Sequence, residues 1–313
     1  MFFNKGWDPK GLHVYITGGS TGLGLALAKL LTQKGAHISI VARDQGKLDR
    51  AINELQTVRQ NPEQILKAYS FSLNNAADSA AALKTVCDAH GGTAPDAVFA
   101  CAGSSKPMFF VEMSEQDMTE GMTAGYWVQA WTAFAAAKHM ARQKRKGKIV
   151  LVSSTLGYMS FVGWASYSPA KHALRALADT LHSELLLYGI DVHIFFPPTM
   201  ETAGYETENL TKPKITKRIE EADEGLTPEQ AALGMFRGVE RGEAHITVDL
   251  ITSLFRASTR GSAPKNNWIL DAIYDSIAFI ATPIWKSSVD KKVVAHRDEH
   301  RAYLEQNGFF GDK

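Results

Sequence analysis

The 313-residue chain has only two cysteines, Cys87 and Cys101, too few for a disulfide framework and suited to a reducing compartment. It has no excess of either charge. Against 33 acids stand 34 lysines and arginines, and a formal net charge of +1 lacks the footprint of a nucleic-acid binder. Met1 to Lys10 holds Phe2, Phe3 and Trp7 but no apolar run of secretory length, so the cytosolic side is the expected location. Internal repeats and low-complexity tracts are missing, and no metal site is expected. The basic run Lys144–Lys148 is most simply a solvated helix end before a strand.

What is present is alternation. Short apolar runs at His13–Ile16, His37–Val41, Leu66–Phe71, Ala97–Ala100, Lys148–Ser153, Asp191–Phe196 and His245–Val248 read as strands. Between them Leu23–Lys34, Gln45–Arg59, Ala76–Ala89, Gln116–Lys144, Pro169–Tyr188 and Pro228–Val239 read as helices. Ala170, Ala173, Leu174, Leu177, Leu181 and Leu185 recur at helical spacing and give the fifth helix a core-facing stripe. The pattern implies an α/β fold, a Rossmann-type doubly wound parallel sheet of about seven strands with helices on both faces. Residues 1–260 would form this domain and 261–313 an extension. Tyr205–Glu224, polar and broken by Pro213, reads as a loop placed where a substrate lid would sit.

The segment Thr17-Gly18-Gly19-Ser20-Thr21-Gly22-Leu23-Gly24 joins the first strand to the first helix. Glycines there permit a tight turn and let backbone approach a pyrophosphate, while the helix N-terminus offers amides and a positive dipole end. No Gly-Lys-Ser/Thr follows, which excludes a P-loop. About 20 residues on, where an acid would bond the ribose 2′-hydroxyl of NAD, the second strand ends in Ala42-Arg43. Arg43 can pair with a 2′-phosphate, so the expected cofactor is NADPH, with Ser20 and Lys47 assisting.

Tyr167 and Lys171, four residues apart at a helix start, share one face. A tyrosine titrates near pH ~10, and an ammonium beside it should bring that value toward neutrality, as a general acid needs. Ser154, 13 residues upstream at the end of the fifth strand, could polarise a carbonyl.

On these residues the chain resembles the short-chain dehydrogenase/reductases over roughly residues 10 to 205. The resemblance maps the glycine turn onto Thr17 to Gly24, including Gly18, Gly22 and Gly24. It maps the catalytic serine onto Ser154 and the tyrosine–lysine pair onto Tyr167 and Lys171. It implies hydride transfer to a ketone held against Ser154, a proton from Tyr167, and Lys171 both lowering the tyrosine pKa and binding the nicotinamide ribose. In Phe196-Pro197-Pro198-Thr199-Met200-Glu201-Thr202, Met200 would face the nicotinamide carboxamide and Thr202 would bind the cofactor. Ser72 replaces the family's usual acid, with Leu73 next to it near the adenine; Ala100-Cys101-Ala102-Gly103 replaces an Asn-Asn-Ala-Gly turn. Gly125 stands where the family has a relay asparagine.

The Gly-Gly-Ser-Thr-Gly turn, Val41-Ala42-Arg43, the run Phe161 to Tyr167 and the doubled Pro197-Pro198 resemble the branch of the family that reduces 3-ketodihydrosphingosine. That implies a long-chain sphingoid ketone as substrate and the cytosolic face of the endoplasmic reticulum as location. The family's long helices also imply a homodimer or higher homo-oligomer. A reductase of another lipid ketone, 3-ketoacyl or steroid, and a non-catalytic NADPH-binding scaffold remain alternatives. Trp268–Trp285 is mostly apolar, with Asp271 and Asp275 one turn apart and Pro283 near its end. Buried acids argue against a spanning helix, so an interfacial helix with a thin polar stripe is expected, supported by Leu250–Phe255, Arg256 and Arg260. A helix packed on protein is the alternative.

Overall fold

Apolar residues alternate along the first strand because its neighbours cover it on both faces: Val14 and Ile16 join one core, Tyr15 the other. A computed structural model of the chain describes residues 6–310 apart from 222, 224, 260 and 262. The strands are β1 (His13–Thr17), β2 (His37–Ala42), β3 (Leu66–Ser70), β4 (Ala97–Ala100), β5 (Gly147–Val152), β6 (Ile190–Phe195) and β7 (His245–Ile246). They lie in the order β3-β2-β1-β4-β5-β6-β7, with every pairing parallel. Helices α1 (Gly22–Gln33), α2 (Gln45–Thr57), α3 (Ala76–Asp88), α4 (Glu115–Met122), α5 (Val128–Arg142) and α6 (Ser168–Glu184) connect them as far as β6. Leu27 and Leu31 of α1 and Leu48 and Leu55 of α2 share one core with Ile16 and Phe99. Leu83 of α3, Ala133 of α5 and Leu174 of α6 share the other with Val98 and Leu151. The chain changes direction across the sheet between β1 and β4, and ligands bind such sheets outside the carboxyl ends of the strands at that crevice.

Three expectations need correction. Gln116–Lys144 is not one helix: a π-helical turn, Thr123–Trp127, separates α4 from α5. Its Gly125 is buried against α6, and a Cβ there would stand 2.6 Å from the Ala170 Cβ. Tyr205–Glu224 is not a loop. It contains most of α7 (Ala203–Thr211) and all of α8 (Lys214–Glu220), with Pro213 at the break; Glu224 lies outside the described residues. Polar composition hid both helices, whose ends rest on a cap and an ion pair: Thr202 Oγ1 accepts from the Tyr205 amide at 3.1 Å, and Lys212 is buried between two carboxylates.

The third correction concerns the extension. After α9 (Pro228–Glu240) and β7 come α10 (Leu250–Thr259), α11 (Trp268–Ala295) and α12 (Arg297–Gln306). Asp271 does not lie on an exposed polar stripe. It is buried and ion-paired with the buried Arg256 of α10, because an acid facing the domain needs a cation there. Trp268, Ile269, Ile273, Ile277 and Ile280 point outward instead, while Trp285 turns in and meets Phe255 edge-on at 5.4 Å. Among the described residues no helix is long and apolar enough to cross a membrane. Trp7 packs on Phe99 and Phe236; Phe2, Phe3 and Arg260, also named above, lie outside the described residues.

Candidate active site

The turn after β1 is built to let something large lie against backbone. The Gly18 amide donates to the Val41 carbonyl at 2.8 Å, and its φ of +67° suits glycine. A Cβ on Gly24 would stand 2.3 Å from the Gly18 carbonyl oxygen, so the first turn of α1 can approach the strand end only without a side chain. Thr21 precedes α1 without a side-chain cap, leaving the first-turn amides available to an anion. Across the crevice stands Thr202, whose Cγ2 would be 3.3 Å from a Cβ on Gly22. This cradle fits a dinucleotide pyrophosphate.

The other expected cofactor contacts have varied surroundings. Ser20 is buried in the turn, whereas Arg43 and Lys47 are exposed at the end of β2 and the start of α2. Asp44, beside Arg43, is engaged in capping α2 through the Lys47 amide at 2.9 Å. Among the described residues Arg43 has no ion-pair partner, so its guanidinium is free to meet a phosphate. Leu73 is buried with Tyr15 and Val41 in the core and offers a ligand little beyond its edge. Met200 is partly buried, and its backbone bridges to Leu226.

The residues expected to react come together at the carboxyl end of β5. Ser154 follows the strand, and its Oγ accepts from the Leu156 amide at 3.2 Å. Tyr167 immediately precedes α6 and Lys171 lies in its first turn. The Lys171 Nζ is 5.3 Å from the Tyr167 ring centroid and donates to the Val152 carbonyl at 3.0 Å. Burial pushes Lys171 down to about 7. The lowering expected for Tyr167 is not what this geometry gives. Burial holds the phenol above its ordinary value, the Glu208 carboxylate adds to the rise, and only the Ser154 hydroxyl works against it. The lysine amine is turned toward Val152 and does not offset burial.

Two features escaped the sequence. Gln129, buried in α5, accepts from the Val152 amide and donates to the Val152 carbonyl, both at 2.8 Å. It thereby fixes the strand end that Lys171 also grips. A glutamine on the alanine-rich buried face of α5 was the available signal. The second is the contact at Gly125, only 4.0 Å from Tyr167 Cδ2 for an added Cβ: where the family has a relay asparagine, the room for a side chain is closed by Ala170.

A parallel sheet with this switch point, this cradle and a tyrosine–lysine–serine set beside it defines a nicotinamide-dinucleotide oxidoreductase acting on a carbonyl. The family model of the short chain dehydrogenases matches residues 12–213, and the chain belongs to the short-chain dehydrogenase/reductase family. It is 42% identical over 309 residues to a 3-ketodihydrosphingosine reductase of Cryptococcus neoformans, covering 99% of this chain and 92% of that one. A zebrafish (Danio rerio) 3-dehydrosphinganine reductase is 32% identical over 255 residues, covering 81% and 76%. Among solved structures, a Burkholderia phymatum short-chain dehydrogenase/reductase in complex with NAD superposes with a TM-score of 0.71 at 20% identity, over 81% of this chain and 95% of that one, a likeness of fold.

Proposed function

We propose that the chain reduces the keto group of 3-ketodihydrosphingosine to the alcohol with NADPH. The observation that carries this reading is the near-complete, 42% identical alignment with a reductase of that name, together with the site at the end of β5. NADPH bound in the cradle would supply a hydride. Ser154 polarises the substrate carbonyl with its hydroxyl. Tyr167, whose raised pKa keeps the phenol protonated at neutrality, gives its proton to the alkoxide. Lys171 holds the cationic end of the pair beside the ring face and helps bind the nicotinamide ribose, and Gln129 keeps its carbonyl anchor in place. Gly18, Ser20, Gly22, Gly24, Leu73, Met200 and Thr202 line the cofactor's path. Purified protein given the sphingoid ketone in detergent should oxidise NADPH. Silence there, with turnover of a different ketone, would overturn the substrate.

NADPH over NADH rests on Arg43. Arg43→Ala should raise the KM for NADPH about 10- to 100-fold, the loss of a charge-assisted pair, and leave that for NADH nearly unchanged. A wild-type KM lower for NADH than for NADPH would defeat the assignment.

An apolar cleft of about 390 Å³, lined by Phe109, Phe110, Phe161, Val162 and Trp164, opens beside Ser168, the neighbour of Tyr167. It is within the usual ligand-pocket range and suits part of a long hydrocarbon tail. His300 of α12 closes one wall and meets the Phe109 ring at 4.1 Å, so the extension (261–313) helps house the substrate. The outward face of α11, flanked by Lys265 over the Trp268 ring, supports peripheral docking at the cytosolic face of the endoplasmic reticulum. Full-length protein should float with anionic liposomes and an Ile277→Glu/Ile280→Glu variant should not; equal flotation would remove membrane contact by this face. A homodimer or higher homo-oligomer is the assembly we infer from the family.

A further inference from the structure

The proposed substrate bears a protonated amine on the carbon next to its carbonyl. A site that holds this carbonyl at Tyr167 must therefore receive an ammonium on the adjacent carbon, and a buried ammonium needs a partner. Among the described residues the carboxylate of Glu208 is the one placed near Tyr167 for this. Glu208 of α7 and Glu220 of α8 share a single ammonium, that of Lys212, at 2.8 and 2.6 Å. Lys212 is buried, and Glu220 has a second donor in Trp164 Nε1 at 3.0 Å. Among the described residues the other oxygen of Glu208 receives the neutral hydroxyl of Ser105. Two carboxylates on one ammonium leave the ionised cluster one negative charge in excess.

Contacts on two sides link Glu208 to the segments that carry the reacting groups. Ser105 lies in the turn after β4, two residues beyond Gly103, where an added Cβ would stand 4.0 Å from Lys171 Nζ. On the other side Lys212 lies over the Trp164 ring at 5.1 Å, and that ring is 5.4 Å from the Tyr167 ring. The charge of Glu208 reaches the phenol and raises it.

Resting on the substrate reading above, we propose that Glu208 is the specificity-determining residue that receives the ammonium of an α-amino ketone. Lys212 holds the carboxylate in place from one oxygen, and Ser105 orients the other. The arrangement also serves the proton transfer. A substrate ammonium between Glu208 and Tyr167 offsets the carboxylate field on the phenol, so the bound substrate itself eases release of the Tyr167 proton. A ketone without the amine lacks both effects.

The test compares kcat/KM for 3-ketodihydrosphingosine with that for the ketone of equal length lacking the amine, in wild-type protein and in Glu208→Gln. Wild type should prefer the amino ketone about 10- to 100-fold, the value of a charge-assisted hydrogen bond, and Glu208→Gln should collapse that preference toward unity. Equal slowing of both ketones by the variant would mark Glu208 as merely structural and overturn the proposal. If Glu208→Gln does not fold or no longer binds NADPH, the wild-type preference is followed with pH instead. It should fade as the substrate amine loses its proton near pH ~8, and a preference constant through that range would overturn the proposal. Wild-type turnover of neither ketone, with another ketone reduced, would remove the substrate reading itself and this inference with it.

Discussion

Tyr167→Phe is expected to lower turnover about 100- to 10,000-fold, the range that a positioned proton donor contributes, while NADPH still binds. The phenyl ring keeps its place. Its neighbours are Trp164 on one side and Lys171 on the other, and neither contact needs the hydroxyl. The dinucleotide cradle at Gly18 to Gly24 belongs to β1 and α1, elements that do not carry Tyr167. What is lost is the hydroxyl, with its proton and its hydrogen bond to Ser154. Single-turnover rates and cofactor binding by fluorescence separate the two effects, and wild-type-like turnover would refute Tyr167 as the donor. The pH profile offers a companion measurement. Lys171 sits at about 7, so its positive charge is present below that value and fades as pH rises through it. Reduction should slow along the same limb, since the phenolate left behind then lacks its nearest cation.

The sheet was legible because each strand is a short apolar run between turn residues, and burial on both faces removes ambiguity about which side faces water. The glycine cradle and the Tyr167–Lys171 pair were legible for a different reason: their geometry is local, set within eight residues or one helical turn. What was missed depends on contacts between distant segments. At the π turn Thr123–Trp127 Gly125 meets Ala170, 45 residues on, and no periodicity in α4 or α5 announces it. Helices α7 and α8 escaped because Lys212, Glu208 and Glu220 read as solvated charge, though they form a nearly buried cluster. The sign of the Tyr167 shift was misjudged likewise. A neighbouring ammonium is visible in Tyr-x-x-x-Lys, but burial and a carboxylate from α7 are not. Asp271 looked like the start of a polar stripe because its partner, Arg256, lies on another helix.

That misreading leads to the largest expected effect on stability. Asp271→Ala should destabilise the folded protein by about 3–5 kcal/mol, the cost of leaving one member of a buried ion pair alone, against a total that for domains is about 5–15 kcal/mol. Arg256 and Asp271 are 3% and 1% exposed, so water cannot replace the lost carboxylate. The pair is fork-to-fork, with both terminal guanidinium nitrogens on the two carboxylate oxygens, and Asp271 also accepts from the Asn266 amide at 3.2 Å. Beyond it the damage has a path into the site. The Asn266 side chain donates to the His245 carbonyl at 2.8 Å, and His245 joins Tyr158 at 2.8 Å and Asp179 of α6 at 2.6 Å. From α10, Thr252 meets Thr155 at 2.6 Å, one residue past Ser154. The variant should therefore lose activity as well as stability, and denaturant unfolding read beside kcat/KM would register both. Arg256→Met with Asp271→Leu separates charge from packing. Removing both ions removes the unpaired charge, so this double variant should recover most of the stability lost by Asp271→Ala. If it is as unstable as the single variant, the two helices are held by shape alone, and the ion pair is not what joins the extension to the catalytic sheet.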